Sequence, residues 1–502
     1  MNSSFEEKNR QVVPIWRSYK NTILLDGLNS NKSERYEHNY INNELKERIK
    51  EWNENQTIPF ASDLLSTSFV FNRPETAIDA AEYILRNRNK ASNFSINLAE
   101  TILGNNEDKK ICEITPSHTT PNRDIHYYKI QKLKSRLVKD PYDTIARTDI
   151  AREYAVLGVL NKAKKSIEIA SRLSPNNRFV LRSSARLYLH LDDPCNAQYL
   201  LNNSNLIEYD PWIIASEIAI ADITHKTSNH IKEGRRILLS KNYSPSQLTE
   251  LASAIGTLEL QSGKHKQAKK LFKMSLVDPN DNAVAQALWA SRHLKLIDYV
   301  DSYLLLPCTY EARAYSYHKT GKWKDAMSEA VKWLHDQPFS SRPAVTGSYI
   351  ASTNLENHPM AEEIAKYGLA SNPDDTLLLN NLTYALINQN KIEEAEKVFS
   401  RIDVNALDHS EEIVWNATYG LINFRKKNID MGRALYKNAI EIADRYNYNK
   451  HKTLASIYLA REEILSKTDY SEQAIRFARE ASQTTNDIEI QTVFDNVCRL
   501  IE

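Results

Sequence analysis

The histidines and cysteines are the residues best able to bind a metal ion or to act as nucleophiles, and their spacing favours neither role. His225 and His230 lie five residues apart, whereas two metal ligands on one helix face lie three or four residues apart. The four cysteines are widely separated along the chain: Cys112, Cys195, Cys308 and Cys498. This distribution predicts neither a disulfide framework nor a zinc site, and it is typical of a reducing, cytoplasmic compartment. The sequence also lacks phosphate-loop, dinucleotide-binding, zinc-protease and nucleophile-elbow motifs, so we predict no catalytic residue, no cofactor and no metal site.

Two other groups of side chains have a simpler structural explanation than a chemical one. Glu393, Glu394 and Glu396 lie in the first turns of a predicted helix, where carboxylates interact favourably with the helix dipole. Cys195 follows a proline at the start of another predicted helix, a position that lowers the pKa of some reactive thiols. We interpret it as an ordinary packed or tolerated cysteine.

The composition favours helices over sheets. The 502 residues include 11 glycines and 16 prolines, about half the share of these turn-forming residues in an average protein. Such a chain is unlike a β-sandwich, barrel or propeller, and its 41% of hydrophobic residues suffices for a substantial core. The apolar runs are too short to span a membrane, and the N-terminus lacks the apolar segment of a signal peptide. We therefore expect an all-α protein without a membrane partner.

The charge of the chain is balanced overall but changes sign along its length. The net charge is +1, yet residues 144–299 hold 21 basic and 15 acidic residues, whereas residues 300–502 hold 23 basic and 29 acidic residues. This asymmetry is far weaker than the basic character of a dedicated nucleic-acid-binding domain. The charge therefore favours a protein partner over a nucleic acid.

A pattern of helix pairs recurs through the sequence beyond residue 143. Each good copy carries a small residue in its second predicted helix: Ala163, Ala197, Ala268, Ala326, Ala361 and Ala395. The separations of 34, 35 and 34 residues (Ala163 to Ala197, Ala326 to Ala361, Ala361 to Ala395) show a fixed period. Five residues before most of these alanines, a turn residue occurs: Gly158, Asp192, Gly263, Gly321 and Asn390. Several copies close with a proline, which cannot continue a helix: Pro175, Pro279, Pro338 and Pro373. Weaker copies surround Gly234, Gly432 and Ala474.

This pattern resembles that of the tetratricopeptide repeat (TPR) family, on the small-residue, turn and proline positions just given. The resemblance implies an all-α fold in which residues 121–502 form a right-handed α-solenoid of TPR-like helix–turn–helix repeats. A smaller, divergent helical N-terminal region over residues 1–120 precedes it. The 58 residues between Ala268 and Ala326 predict an irregular or broken repeat near 280–306. Another α-solenoid of helix pairs is the alternative fold.

Outside the repeats, the sequence predicts three helices and a linker. The helices are Ser33–Asn55, Pro74–Asn89 and Ile125–Lys139, and the linker is Cys112–Asp124. Three further stretches are similar to recurring segments of a family of large, mainly bacterial repeat proteins: Ser174–His190, Asp210–Ala221 and Leu251–Leu260. That second resemblance implies no catalytic activity and suggests a role beside effector proteins in bacterial conflict or stress systems.

The resemblance to the tetratricopeptide repeat family also implies where a partner binds, because such solenoids line their concave face with the first helix of each repeat. The implied groove positions include Arg152, Arg182, Arg186, Tyr315, His318, Lys319, Asn380 and Tyr384. The arginines are suited to hold a carboxylate or phosphate through paired hydrogen bonds, and tyrosines are typical contact residues of interfaces. We therefore predict a non-catalytic scaffold that binds a partner protein or a peptide in this face.

Two alternative functions stay open at this point. Lysines at several predicted turns of residues 144–299 would form a basic ridge, which suits a nucleic-acid-associated adaptor. An enzyme with a site in residues 1–143, around Asp124 or His126, is the other alternative. The sequence determines neither the identity of the partner nor the oligomeric state.

Overall fold

The computed structural model describes residues 10–30, 43–71, 73–104, 120–240, 242–296 and 300–501. Within these ranges the chain forms α-helices with short 3-10 turns and one π-helical turn, and it contains no β-strand. The prediction of an all-α fold is therefore confirmed. The described chain divides into two compact units. The N-terminal unit holds the described residues from Arg10 to Ala312 except Thr120 and Pro121, and the C-terminal unit holds these two residues and those from Arg313 onward.

The N-terminal unit begins with helices that precede the repeats. Their bounds are α1 Tyr19–Ser30, α2 Asn43–Glu54, α3 Ile58–Val70, α4 Ile78–Arg86, α5 Asn93–Ile102 and α6 Asp124–Lys139. Helices α2 to α5 enclose a core that includes Leu45, Trp52, Leu65 and Ile84. The smaller helical region predicted ahead of the repeats is thus present.

The repeats of the N-terminal unit follow as consecutive helix pairs. Their bounds are α7 Thr144–Val156, α8 Leu160–Leu173, α9 Arg178–His190, α10 Pro194–Asn202, α11 Pro211–Ile223, α12 Ile231–Leu239, α13 Pro245–Gln261, α14 His265–Ser275 and α15 Asp281–Ala290. First helices begin at capping side chains: those of Asp143, Asn177, Asp210 and Asn280 accept a hydrogen bond from a backbone N–H of the first turn. These caps fix where each first helix starts.

The C-terminal unit continues the same alternation. Its helices are α16 Tyr310–Lys319, α17 Trp323–Asp336, α18 Ser341–Tyr349, α19 His358–Ser371, α20 Thr376–Asn388, α21 Ile392–Phe399, α22 His409–Arg425, α23 Ile429–Arg445, α24 Asn449–Leu465, α25 Ser471–Gln483 and α26 Ile488–Cys498. The division between the two units falls within α16. One continuous apolar core extends from α17 to α26, and α26 closes it with Ile490, Val493 and Phe494.

Small residues hold the two helices of each repeat together. The six marker alanines of the sequence pattern all lie in second helices, and their exposed fraction is 0%: Ala163, Ala197, Ala268, Ala326, Ala361 and Ala395. Gly234 of a weaker copy is similarly close-packed, because a Cβ atom built on it would lie 3.1 Å from Ile255 and Leu251 of the next helix, α13, and 3.4 Å from Ile214 of its paired helix, α11. Larger side chains at these positions would separate the helices of a pair.

The turns between paired helices depend on residues in the left-handed backbone region. All five turn residues named from the sequence have positive φ: Gly158 (71°), Asp192 (53°), Gly263 (74°), Gly321 (72°) and Asn390 (61°). Glycine adopts this conformation without strain, and Asn and Asp tolerate it better than other residues. His225, Glu356, Lys427 and Lys467 have the same conformation at the turns where the sequence shows no such residue. The period is therefore more regular in the backbone than in the sequence.

Several predicted boundaries differ from the observed ones. Only the part of the predicted helix Ser33–Asn55 from Asn43 onward is described, and it forms α2. The predicted helix Pro74–Asn89 starts as a 3-10 turn over Pro74–Ala77, and α4 follows from Ile78 to Arg86. Residues 112–119 of the predicted linker lie outside the described residues.

The stretch near 280–306 has its own arrangement. It holds α15 and a 3-10 turn at Asp301–Tyr303, and residues 297–299 lie outside the described residues. Helix α15 packs against α13, as a first helix of the next repeat would. The domain division at residue 120 and the irregular repeat stay predictions.

A pair of glycine substitutions tests the close packing of the helices. A Cβ atom at Gly432 would lie 2.7 Å from the Phe424 ring and 3.0 Å from the backbone oxygen of Gly420, so Gly432→Ala should destabilise the C-terminal unit by about 1–3 kcal/mol. At Gly347 the nearest atom, on Ile364, would lie at 3.4 Å. Gly347→Ala should therefore be neutral or stabilise by up to about 1 kcal/mol through helix propensity. Urea unfolding measures both, and equal effects of the two variants would contradict the packing argument.

Candidate partner-binding groove

A non-helical segment, residues 10–18, lies across the first helices of the N-terminal unit. Its side chains are deeply buried: Val12 is 0% exposed, Trp16 1% and Arg10 3%. It contacts α7, α11 and α15, which are all first helices of their repeats. We call the face formed by α7, α9, α11, α13 and α15, together with Glu311 at the start of α16, the N-terminal groove. This groove is occupied by the protein's own chain.

Arg10 is the most extensively bound residue of the segment. Its guanidinium makes a bidentate pair with Glu311, with Nε 2.8 Å from Oε1 and Nη2 3.0 Å from Oε2. The same group donates to Gln286 Oε1 at 2.6 Å and to Asn282 Oδ1 at 3.0 Å. Paired, charge-assisted hydrogen bonds of this kind are the strongest and most directional in proteins. Arg10 is thus recognised by shape as well as by charge.

The groove also binds the backbone of the segment. The side-chain amide of Gln286 donates to the Arg10 carbonyl oxygen at 2.6 Å, and that of Asn282 donates to the Val13 carbonyl oxygen at 2.9 Å. Arg152 Nε donates to the carbonyl oxygen of Trp16 at 3.2 Å. These bonds satisfy buried backbone groups that have no partner within a helix. They do not depend on the side chains of the bound segment.

The far end of the segment is held by carboxylates. Arg17 Nη2 lies 2.6 Å from Oδ2 of Asp281, at the first position of α15. The backbone N–H of Tyr19 donates to Asp149 Oδ1 at 3.0 Å, and the side-chain amide of Gln11 donates to Asp222. Both arginines of the segment therefore reach the first turn of α15, Arg10 through Asn282 and Arg17 through Asp281.

The pKa values of two buried carboxyl groups under the segment are shifted in opposite directions. Burial raises the pKa of Asp149 to about 7, and the charge of Glu153 adds to the shift. Burial acts in the same sense on Glu153, but its hydrogen bond with His126 and the charge of Arg152 outweigh it and lower the pKa of Glu153 to about 2. Glu153 is thus the charged member and Asp149 the group that changes protonation near neutral pH.

The three predicted groove arginines lie in the N-terminal groove or beside it. Arg152 is buried beneath the segment and pairs with Glu153 at 3.0 Å. Arg182 donates to Glu250 Oε2 at 2.8 Å, and its guanidinium carbon lies 5.0 Å from the centroid of the Trp212 ring. Arg182 also lines a cavity of about 110 Å³ next to Arg17. Arg186 is half-buried on α9, one turn after Arg182.

The other predicted site residues belong to the C-terminal unit. His318 is buried with its Nε2 atom 3.9 Å from Glu489, and Asn380 accepts a hydrogen bond from Thr418 at 2.6 Å. Tyr384 packs edge-on against Tyr458, with ring centroids 5.9 Å apart. Tyr315 is half-buried against Trp333, and Lys319 is exposed.

A groove position that meets a partner is expected to be exposed, and four of the eight predicted residues are instead buried. Arg152, His318, Asn380 and Tyr384 are all under 7% exposed. Residues 10–18 cover Arg152. In the C-terminal unit the side chains of first helices meet each other, either in successive repeats, as Asn380 and Thr418 do, or in repeats further apart, as Tyr384 and Tyr458 do. The role of the eight residues in binding a partner stays a prediction.

Sequence reasoning missed the residues that contribute most to the groove. Asn282 and Gln286 lie four residues apart on the same face of α15, in a stretch interpreted as a broken repeat. Their signal is two amide side chains within an otherwise apolar helix, both buried and both hydrogen-bonded to the segment. Residues 10–18 gave no signal because they belong to no repeat.

Two other features of the described residues bear on the candidate functions. No cluster of three or more His, Cys, Asp or Glu side chains in the described ranges is arranged to hold a metal ion. None of the described helices combines the length and the apolar character needed to cross a membrane.

An asparagine at position 149 tests the titration under the segment. A carboxyl group whose pKa is raised by folding stabilises the protein at low pH, and this contribution is lost as the pH rises through about 7. Asp149→Asn should therefore raise the Tm of the N-terminal unit at pH 8, on the order of 2–4 °C. At pH 5.5 the advantage should be smaller, because Asp149 is then protonated in the folded protein and only the unfolded chain has lost the proton. Thermal unfolding of both proteins at the two pH values measures this, and an effect that does not change with pH would contradict it.

The chain gives no match when compared with protein-family models or with curated protein sequences. Among solved structures, the Cut9–Hcn1 hetero-tetramer of the APC/C matches with a TM-score of 0.44 and 13% identity, over 97% of this chain and 91% of that chain. Yeast Tom70 matches with a TM-score of 0.31 and 13% identity, over 86% of this chain and 96% of that chain. A human IFIT1 dimer with PPP-AAAA matches with a TM-score of 0.36 and 14% identity, over 76% and 96%.

With TM-scores under 0.5, these likenesses carry no argument about the function of this chain. The assignment of its fold depends on its own geometry, namely the consecutive helix pairs, the buried small residues of the second helices and the left-handed turn residues. On these features, the described chain is an all-α solenoid built from tetratricopeptide-like helix–turn–helix repeats.

Proposed function

We propose that this protein is a non-catalytic, cytoplasmic scaffold that binds a partner protein or peptide along the first helices of its repeats. The observation that carries the proposal is the N-terminal groove, which already holds a non-helical peptide segment. Three carbonyl oxygens of that segment, those of Arg10, Val13 and Trp16, accept hydrogen bonds from groove side chains. A surface that satisfies the backbone of one segment has the chemistry to bind another.

The side chains left at the surface of the first helices suit this role. Arg186 and Tyr315 are half-buried and Lys319 is exposed, so a partner reaches them without rearrangement of the core. Tyrosine and arginine contribute large contact areas and directional hydrogen bonds at interfaces.

A specific feature of the N-terminal unit favours a nucleic-acid-associated adaptor as the second candidate. The Nζ atoms of Lys134 and Lys162 lie 5.8 and 5.7 Å from the centroid of the Tyr154 ring, and that of Lys164 lies 5.9 Å from the Tyr188 ring. Lysines on α6 and α8 therefore gather along one edge of the repeats. Such an edge suits the phosphate backbone of a nucleic acid.

Site-specific photo-crosslinking separates the two candidates. A photoreactive amino acid is placed at Arg186 or Lys319 on first helices. The matched controls are Lys165, on the second helix of the repeat that precedes Arg186, and Lys324, on the second helix of the same repeat as Lys319. We expect protein adducts from native-host lysate at the first-helix positions and none at the controls. Adducts only at Lys165 that disappear after nuclease treatment would instead favour the nucleic-acid adaptor.

A charge reversal then measures the contribution of the groove once an adduct identifies the partner. Arg186→Glu should weaken binding of that partner about tenfold or more, which corresponds to about 1.4 kcal/mol. Lys165→Glu, on the second helix of the preceding repeat, should leave the affinity within about twofold. Equal losses for the two variants would contradict binding through the first helices.

A further inference from the structure

We propose that residues 10–17, with the sequence RQVVPIWR, are a tethered ligand of the N-terminal groove. In this view the groove is selective for segments with two arginines around an apolar, proline-containing centre, and a partner segment of that chemistry displaces the protein's own. The inference rests on the proposed function and names the class of partner. It is carried by the charge of the groove, by the bonds to the backbone and by the way the segment is attached.

The groove requires a positively charged occupant. Glu311 is 7% exposed, and its carboxylate receives both Nε and Nη2 of Arg10. Asp281 receives the guanidinium of Arg17, and both members of that pair are nearly buried. Removal of one partner from a buried ion pair is costly because a charge is left in a poorly solvated place. An acidic or neutral segment would therefore bind this groove poorly.

The groove selects for arginine rather than for charge alone. The planar guanidinium of Arg10 meets four acceptor atoms on Glu311, Gln286 and Asn282 at 2.6–3.0 Å. A lysine ammonium has three donors on a flexible stem and cannot reproduce this fork. The position of each acceptor is fixed because the three residues stand on helices, two of them one turn apart on α15.

The apolar centre adds a second requirement. Val12 and Trp16 are 0% and 1% exposed, so the middle of the segment fills the groove between the two arginines. Pro14 lies between them in the sequence and has no N–H to leave unpaired. The pattern of a partner is thus an arginine at each end, seven residues apart, with large apolar residues and a proline between them.

The attachment of the segment makes exchange with a partner feasible. Residues 10–18 form no helix, and they are held by hydrogen bonds and by the buried side chains of Val12 and Trp16, all of which contact helices that are already complete. A tethered ligand competes at an effective concentration in the millimolar range. A weakened tethered segment should therefore open the groove to a peptide added in solution.

A labelled synthetic peptide of residues 9–20 is the probe, and the full chain with Arg10→Ala/Arg17→Ala is the test variant. Fluorescence anisotropy should show that the peptide binds this variant at least tenfold more tightly than wild type. The control chain is Arg86→Ala/Arg88→Ala, two exposed arginines of the same unit, and it should behave as wild type. A control peptide with both arginines replaced by alanine should bind neither chain.

Equal binding of the peptide to the test variant and to wild type would overturn the proposal. The proposal would also be overturned if the control peptide bound the test variant as tightly as the native peptide does. If the alanine variant does not fold, Arg10→Lys/Arg17→Lys replaces it, because this variant retains both charges and loses only the forked hydrogen bonds. It should show a smaller but measurable gain in peptide affinity. No gain in that folded variant would likewise overturn the proposal.

The outcome is distinguishable from that of the scaffold proposal, since no cellular partner enters the peptide assay. Crosslinked partners without peptide binding would support the scaffold proposal and contradict the tethered-ligand proposal. Peptide binding without any crosslinked partner at the first-helix positions would support the tethered-ligand proposal and contradict the scaffold proposal.

Discussion

The close approach of paired helices is the constraint on which the rest of this structure depends. Fully buried alanines in the second helices, such as Ala163, Ala268 and Ala395, leave room for the facing helix. Because paired helices approach closely, the first helices of successive repeats within a unit come to lie side by side. A continuous face results, on which residues distant in the sequence meet, as Arg182 and Glu250 do. The groove on the first helices thus depends on small side chains of the second helices, which are not part of it.

The N-terminal groove is polar where a helical core is ordinarily apolar. Asn282, Gln286 and Glu311 are buried, and groups of this kind destabilise a protein unless they are hydrogen-bonded. Residues 10–18 supply the missing donors and acceptors, and they bring two arginines to a face rich in carboxylates. The segment is therefore complementary in polarity to the groove, and it does more than cover apolar surface. This complementarity supports the interpretation of the groove as a peptide-binding surface.

In the C-terminal unit the face of the first helices is filled by the unit's own side chains. Its first helices meet through aromatic and charged side chains of their own, with Tyr384 against Tyr458 and with the Tyr349 hydroxyl donating to Glu489. Lys450 completes this arrangement at 2.7 Å from Glu489 Oε2, at the start of the last helix, α26. One repeat type thus gives a face filled by a separate segment in one unit and a face closed by its own residues in the other.

Much of the fold follows from the sequence alone. The helix pairs, the small residues and the turn positions are local or periodic properties, and turn residues such as Gly158 and Asn390 have the backbone conformation that their residue types favour. The resemblance to the tetratricopeptide repeat family also implies that Arg152, Arg182 and Arg186 belong to one face. It identifies this face without identifying what occupies it.

Only the tertiary structure decided that the face is occupied by residues 10–18. The contact between Arg10 and Glu311 joins residues 301 positions apart, and no period relates them. The same is true of Trp16 and Arg152, and of Tyr19 and Asp149. The periodicity of the sequence indicates which side of a helix is buried. The partner of a buried polar group, in contrast, depends on how the whole chain folds. The sequence by itself therefore determined the repeat, and tertiary packing determined which segment of the chain occupies the first-helix face of the N-terminal unit.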